Sequence, residues 1–310
     1  MAEKLSEIDV PSLGLRACSV EAHCKFLIDR HDCAFWWYQG TKTSYTNYTL
    51  PFQSAFGDWW YQLKWGLGWP VDFLRPIEPG KAAPPYSKTF LGYQHVVADE
   101  SQADSHLVIN AILNLGAYGQ ASVDAKRRNA IRKGLRNCAL AAPLSLDDET
   151  LQGCAHAWNC LSRRTGWKHA IPVDHFRRTW SELISCPGVS IIIGREAGSG
   201  RVAGFLITKI IGDTAYVDTI ASADELLHTN INDALMYSFL INARGLPDVG
   251  KAHFALVSGA TKLEQFKISL GFEPHRFPAL TCLRPCVRPL LWFFGRRHYL
   301  RMTGRASQIL

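Results

Sequence analysis

The sequence predicts a two-lobed α/β fold in which a mixed, mostly antiparallel sheet is flanked by helices. Three observations lead there. The chain has 310 residues, more than a single minimal core organises, so two lobes are expected. Its hydrophobic fraction is 47% and its charged fraction 20%, the balance of a folded globular chain rather than a disordered one. Residues 189–220 alternate apolar, β-branched runs with tight turns, as an antiparallel meander does.

The elements follow in order. The first part is rich in aromatic residues (Phe35, Trp36, Trp37, Tyr38, Trp59, Trp60, Tyr61, Trp65 and Trp69), and such clusters form core. Residues 33–39 read as a buried strand, 54–65 as a helix, 80–85 as an exposed loop and 106–113 as another strand. Residues 122–137 predict a helix capped by Ser122, with Ala125, Ile131 and Leu135 as its apolar positions and a cationic exposed face. After Pro143, the run from Ser145 to Asp148 reads as a helix start, followed by Leu151, Cys154, Trp158 and Leu161 at helical spacing. A further helix carries Phe176, Trp180, Leu183 and Ile184 beyond Pro172.

The meander consists of strands 189–194, 202–211 and 214–220, joined by a turn at 197–200 and by Gly212-Asp213. It is followed by a helix with Leu227, Ile231, Ala234, Leu235 and Ser238 on one face, a strand over 252–258, a helix over 261–270 and a β segment after Gly271. The expected division is an N-terminal lobe 1–120, a second lobe 121–283 and a basic amphipathic tail 284–310.

The formal net charge is +7, which implies attraction to something anionic: nucleic acid, a phosphorylated donor or an acidic lipid surface. Lys126 to Arg136 and Arg284 to Arg305 concentrate it. No apolar run approaches the roughly 20 residues of a membrane-spanning helix, and the first residues lack a basic segment followed by an apolar one. A cytoplasmic protein is expected. Nine cysteines without paired spacing predict reduced thiols. Cys282 and Cys286 have no second ligand pair nearby, so no metal site is expected. There is no phosphate-binding loop, nucleophile elbow or dinucleotide-binding glycine pattern, and no tightly bound cofactor is expected.

Two helices, three antiparallel strands, a helix, a strand, a helix and a last β segment is the element order of the GNAT acetyltransferase fold. The run from Asn230 to Tyr237 and the run from Ser258 to Phe272, with its Phe266-Lys267 pair, resemble the late helix and the "FK…G" segment of FemAB-like transferases and their BioF2-like relatives. Arg127-Arg128-Asn129-Ala130-Ile131-Arg132-Lys133 resembles the basic helix before their second lobe. The resemblance implies two GNAT-like lobes, the first a degenerate one, and transfer of an acyl or aminoacyl group from a thioester or tRNA ester to an amine.

It also implies an anionic donor: aminoacyl-tRNA, a carrier-bound acyl group or acyl-CoA. CoA-dependent members carry a Gly-rich basic loop before the long helix, because free backbone amides there suit a pyrophosphate. Here that stretch, residues 222–230, contains Asp224 and Glu225 and no glycine, so ordinary CoA binding is not expected. CoA-dependent N-acetylation and a non-catalytic module that binds an anionic partner are the alternatives.

Aminolysis needs a held amine, a route for its proton and donors aimed at the oxyanion. His228 follows the third meander strand, and histidine is the residue type suited to proton transfer near neutral pH; Asp218 lies on that strand; Lys267 follows the core aromatic Phe266 and is expected to point toward substrate. These are the catalytic candidates. Arg127, Arg128, Arg132 and Lys133 on the basic helix, Asn230 and Asn232 at the late helix start, and Ser258 and Lys262 are the binding candidates. The tail sets Leu290, Leu291, Trp292, Phe293 and Phe294 beside arginines, a pattern suited to peripheral membrane contact.

Overall fold

In chain order, the elements are α1 (Val20–Asp29), β1 (Phe52–Gln53), β2 (Trp59–Leu63), β3 (Leu67–Pro70), β4 (Gly92–Val96), β5 (Ser105–Ile112), α2 (Ala125–Asn137) and β6 (Cys138–Ala141). These are followed by α3 (Asp148–Thr165), α4 (Val173–Leu183), β7 (Val189–Glu196), β8 (Val202–Ile211), β9 (Thr214–Ser222) and α5 (Ile231–Arg244). The chain closes with β10 (Lys251–Leu256), α6 (Thr261–Ser269), β11 (Glu273–Leu283) and α7 (Val287–Phe294). This computed structural model describes residues 8–29, 51–63, 66–166, 170–257, 261–294, 299, 300 and 304.

The first unit comprises Ile112–Ala252 and Lys267–Phe272 with the described part of Met1–Ala17. Its strands run in the order β9-β8-β7-β6, each antiparallel to the next. The predicted meander is present, with β9 two residues longer than expected and β6 added at the edge. Gly194 of β7 lies against Ile231 of α5, while the next residue, Arg195, hydrogen-bonds Thr150 of α3. Successive strand residues face opposite ways, so α3 and α5 cover opposite sides of β7. On the α3 side, Trp158, Phe176, Trp180 and Phe205 pack ring against ring.

The second unit comprises Cys18–Ala111, His253–Phe266 and Glu273–Leu310. Its strand order is β1-β2-β3-β4-β11-β5. β11 pairs antiparallel with both β4 and β5, and β3 with β4 is a parallel pair. The units are therefore discontinuous in sequence, unlike the 1–120, 121–283 and 284–310 division: the last strand enters between two early ones, which no local pattern can announce. Leu74, Val96, Leu107, Ile109, Ala111 and Ala279 form one core of this unit, and Trp60, Ile77 and Ala82 form another.

Of the helix expected over 54–65, residues 54–63 are not helical and the last two lie outside the described residues. Gly57, at φ 90°, closes a turn in which the Ser54 amide donates to Asp58 O at 2.8 Å, and Trp59–Leu63 then extends as β2. The aromatic residues there prefer a pleated surface. The helix expected over 122–137 begins at Ala125, capped by Asp124, whose carboxylate accepts from the Arg127 amide at 2.7 Å. Ser122 instead closes a preceding 3-10 turn, and Ala125 is exposed. Residues 33–39 lie outside the described residues. Among the described residues, no helix is long and apolar enough to cross a membrane, and every cysteine is a free thiol.

Candidate active site

Asp218 occupies a β-bulge. Ile207 faces Thr219 and Thr208 faces Val217, so Asp218 is an extra residue between two paired positions. A bulge twists its strand and re-aims side chains, and bulges are enriched beside active sites. The Asp218 carboxylate is 3.8 Å from Lys209 Nζ, with both side chains largely buried. The ammonium also sits 5.4 Å from the Tyr216 ring centroid, a cation–π contact.

Lys267 is 1% exposed, whereas Phe266 is only half-buried. This reverses the expectation that the aromatic is core and the lysine is not. Lys267 lies three residues before the fully buried Leu270, on the same side of the helix, and that spacing turns residue 266 partly outward. A fully enclosed lysine is rare, which marks Lys267 as a functional candidate. Lys262, at the start of α6, is exposed. Ser258 lies outside the described residues.

On the same helix, Glu264 accepts from Asn110 Nδ2 at 2.7 Å. Asn110 is fully buried in β5, and its Oδ1 has no hydrogen-bond partner among the described residues. This residue was not among the candidates taken from the sequence. The only signal for it was an amide inside the apolar run Leu107-Val108-Ile109-Asn110-Ala111-Ile112.

The late helix start is built around α2. Asn230 adopts a left-handed conformation, φ 61°, which asparagine tolerates, and its carbonyl accepts from the Asp233 and Ala234 amides at 3.2 and 3.3 Å. α2 packs on α5 through Gly134, where a Cβ would stand 2.6 Å from Asn230 O and 2.8 Å from Ala234 Cβ. Arg127 donates to Ser269 Oγ at 2.9 Å and forms an ion pair with Asp233. Burial pushes the Asp233 carboxyl above its ordinary range, and Arg127 offsets only part of that. Asn232 Nδ2 donates to Ser222 Oγ at 3.2 Å.

The basic helix offers fewer cations than its sequence suggests. Arg127 is committed to Asp233, and Arg128 donates to the carbonyls of Gln120 and Val123. Arg132 is half-buried, its guanidinium 3.5 Å from Asn129 Oδ1. Lys126, Lys133 and Arg136 are exposed. The Asp233 carboxylate, internal carbonyls and solvent thus relieve part of the expected repulsion.

His228 is exposed, and its Nδ1 donates to the Glu225 carbonyl at 3.0 Å, closing the 3-10 turn Asp224–Thr229. The acids of this turn are neutralised, which removes repulsion as a reason for excluding a pyrophosphate. Asp224 pairs with Arg163 and Arg164, and Glu225 pairs with Arg201 at 2.7 Å and His156 at 3.0 Å. Burial raises the Asp224 carboxyl, but its arginine partners more than offset this and hold it below its ordinary value. The Glu225 carboxyl is lowered by its own backbone amide first and by His156 and Arg201 further. Arg164 also donates to Ser222 O at 3.1 Å.

No family model matches the sequence, and comparison with curated proteins gives no match. Solved structures do match. FemX superposes with a TM-score of 0.53 at 10% identity, over 93% of this chain and 99% of that one. L-PGS from Bacillus licheniformis superposes with a TM-score of 0.54 at 12% identity, over 94% of this chain and 99% of that one. A tandem GNAT protein from the clavulanic acid biosynthesis pathway aligns over 72% of this chain with a TM-score of 0.42 at 12% identity. The chain therefore has the fold of FemX and L-PGS, along nearly the whole length of both.

Proposed function

We propose that this chain is an acyltransferase that moves an acyl or aminoacyl group from an activated ester to an acceptor amine. Enclosed Lys267, on the segment that resembles the FemAB "FK…G" run, is the observation that carries this reading. In the reaction the amine nitrogen attacks the ester carbonyl, the C–N bond forms, and the Lys267 ammonium stabilises the oxyanion. The C–O bond then breaks, the proton lost by the amine passes to a carboxylate such as Asp218, and Lys267 supplies a proton to the departing oxygen. FemX and L-PGS share the fold at low identity and so support the class of reaction rather than its substrates.

The donor in this reading is an aminoacyl-tRNA or a carrier-bound acyl group, its phosphates held by Lys126, Lys133 and Arg136. Coverage of the first turn of α5 by α2 at Gly134 leaves poor access for a CoA pyrophosphate at the α5 amides. Acyl-CoA remains the rival donor because Asp224 and Glu225 carry arginine partners. The reaction would take place in the cytoplasm, where free thiols persist. Leu290, Trp292 and Phe293 are exposed beside exposed Arg284 and Arg288, which supports peripheral contact with an anionic lipid surface through α7.

The test mixes purified protein with tRNAs charged with labelled amino acids and a panel of amine acceptors, and follows label into the acceptor. Transfer that Lys267→Met abolishes is the expected result. Micromolar acetyl-CoA binding by calorimetry, with acetyl transfer and no aminoacyl transfer, would replace the donor. Neither activity across both panels would favour the binding-module alternative.

A further inference from the structure

Outside the proposed site, one cluster gathers a thiol, an imidazole and a carboxylate. His156 and Cys160 lie one turn apart on α3, and residues four apart share a helix face. α3 packs on the 3-10 turn Asp224–Thr229, which brings Glu225 to the pair. The ligand atoms of the three residues all lie within 4.8 Å of one another. Cys160 Sγ is 3.5 Å from His156 Nε2, which is 3.0 and 3.2 Å from the two Glu225 carboxylate oxygens.

We infer that His156, Cys160 and Glu225 form a binding site for a divalent cation of the zinc class. A tetrahedral zinc ion with a Zn–S bond of about 2.3 Å and Zn–N and Zn–O bonds of about 2.0–2.1 Å has ligand-to-ligand edges of roughly 3.3–3.6 Å. Two edges are thus already close to length, and little chain entropy remains to be lost on binding. The donor set suits a borderline-soft ion, since thiolate and imidazole select against magnesium and calcium. A thiolate and a carboxylate together balance the ion's two charges. Cys160 is fully buried and His156 and Glu225 are exposed, so the ion enters from solvent. Asp224, which shares Arg163 Nη2 with Cys160, or a water completes the fourth position.

The arginines decide whether the ion wins. Arg163 donates to Cys160 Sγ at 3.1 Å, and Arg201 to Glu225 Oε1 at 2.7 Å. Their side chains are 63% and 59% exposed, so each can release its partner to the ion and keep its own hydration, or remain as an outer-shell donor to a ligand. The bound ion would tie α3 to the turn that leads into α5. Sequence spacing alone cannot show this, because Glu225 is distant in the chain from the helical pair.

The test uses tag-free, intact protein stripped with chelator and titrated with cobalt(II), then zinc(II). The expected result is a saturable thiolate-to-cobalt charge-transfer band with tetrahedral visible bands, displaced by zinc and unaffected by Cys282→Ser or Cys286→Ser. Cys160→Ala should remove the band. His156→Ala and Glu225→Gln alter exposed side chains and keep the fold, and each should weaken zinc at least as much as the roughly 10–100-fold typical of outer-shell losses. Zinc should raise the melting temperature of the parent protein and leave that of His156→Ala unmoved. Absence of the cobalt band, its survival in Cys160→Ala, or unchanged zinc affinity in both His156→Ala and Glu225→Gln would overturn the inference.

Discussion

The Arg127 guanidinium on α2 and the Asp233 carboxylate on α5 form an ion pair at the first turn of both helices, with Asp233 only 6% exposed. Removing one partner of such a pair strands the other charge, which is where the energy lies. Arg127→Ala should therefore destabilise by about 3 kcal/mol, the low end for an enclosed pair. Arg127→Ala combined with Asp233→Asn should recover most of that. Urea denaturation of both variants checks this, and equal losses would show that the ion pair does not matter.

The same pair makes a pH prediction. The folded-state pKa of Asp233 is raised, chiefly by burial, so between its unfolded and folded values the native state holds the extra proton. Its contribution is most favourable below the unfolded value and is lost as pH rises through the folded one. Without Arg127 the folded value climbs further. Arg127→Ala should thus lose further stability relative to the parent as pH rises from the parent's raised folded value toward neutrality. A flat difference across that range would contradict it.

Lys267→Met removes an enclosed charge while keeping most of the side-chain volume. The fold should be kept, and turnover per folded molecule should fall by roughly 100-fold or more if the lysine moves protons or holds the oxyanion. Phe266→Ala should cost less than the roughly 3–5 kcal/mol of a core phenylalanine. Full activity per folded Lys267→Met molecule would confine that residue to packing.

Gly134→Ala tests the approach of the two helices. Alanine is the better helix former by about 1 kcal/mol, yet its Cβ would meet backbone at 2.6 Å, and overpacking costs about 1–3 kcal/mol. A net loss of stability is expected. A stabilised variant would mean that α2 moves away from α5 freely.

Lys133→Ala with Arg136→Ala removes two exposed cations and should leave the fold intact. If the partner is a nucleic acid, the slope of log affinity against log salt should shrink by about 1 for each phosphate that is no longer neutralised. An unchanged slope with tRNA would take this face out of donor binding.

Local pattern was enough for the elements of the second half. The meander, α3, α4, α6 and α5 from Ile231 onward were legible because their apolar spacing and turn residues act over a few positions; Leu227, expected on the α5 face, instead lies exposed in the preceding 3-10 turn. The aromatic core around Trp60 and the GNAT-like element order were legible in the same way. The early strands β1 to β4 were not: they are short, β2 reads locally as a helix, and β4 is held by β11 from far along the chain. Only the folded chain shows that β11 lies between β4 and β5, that Arg127 turns to Asp233 rather than to solvent, that Lys267 rather than Phe266 is enclosed, and that Glu225 meets His156 and Cys160. Each depends on residues far apart in the chain coming together, and side-chain type states what a residue can do but not which distant partner it will meet.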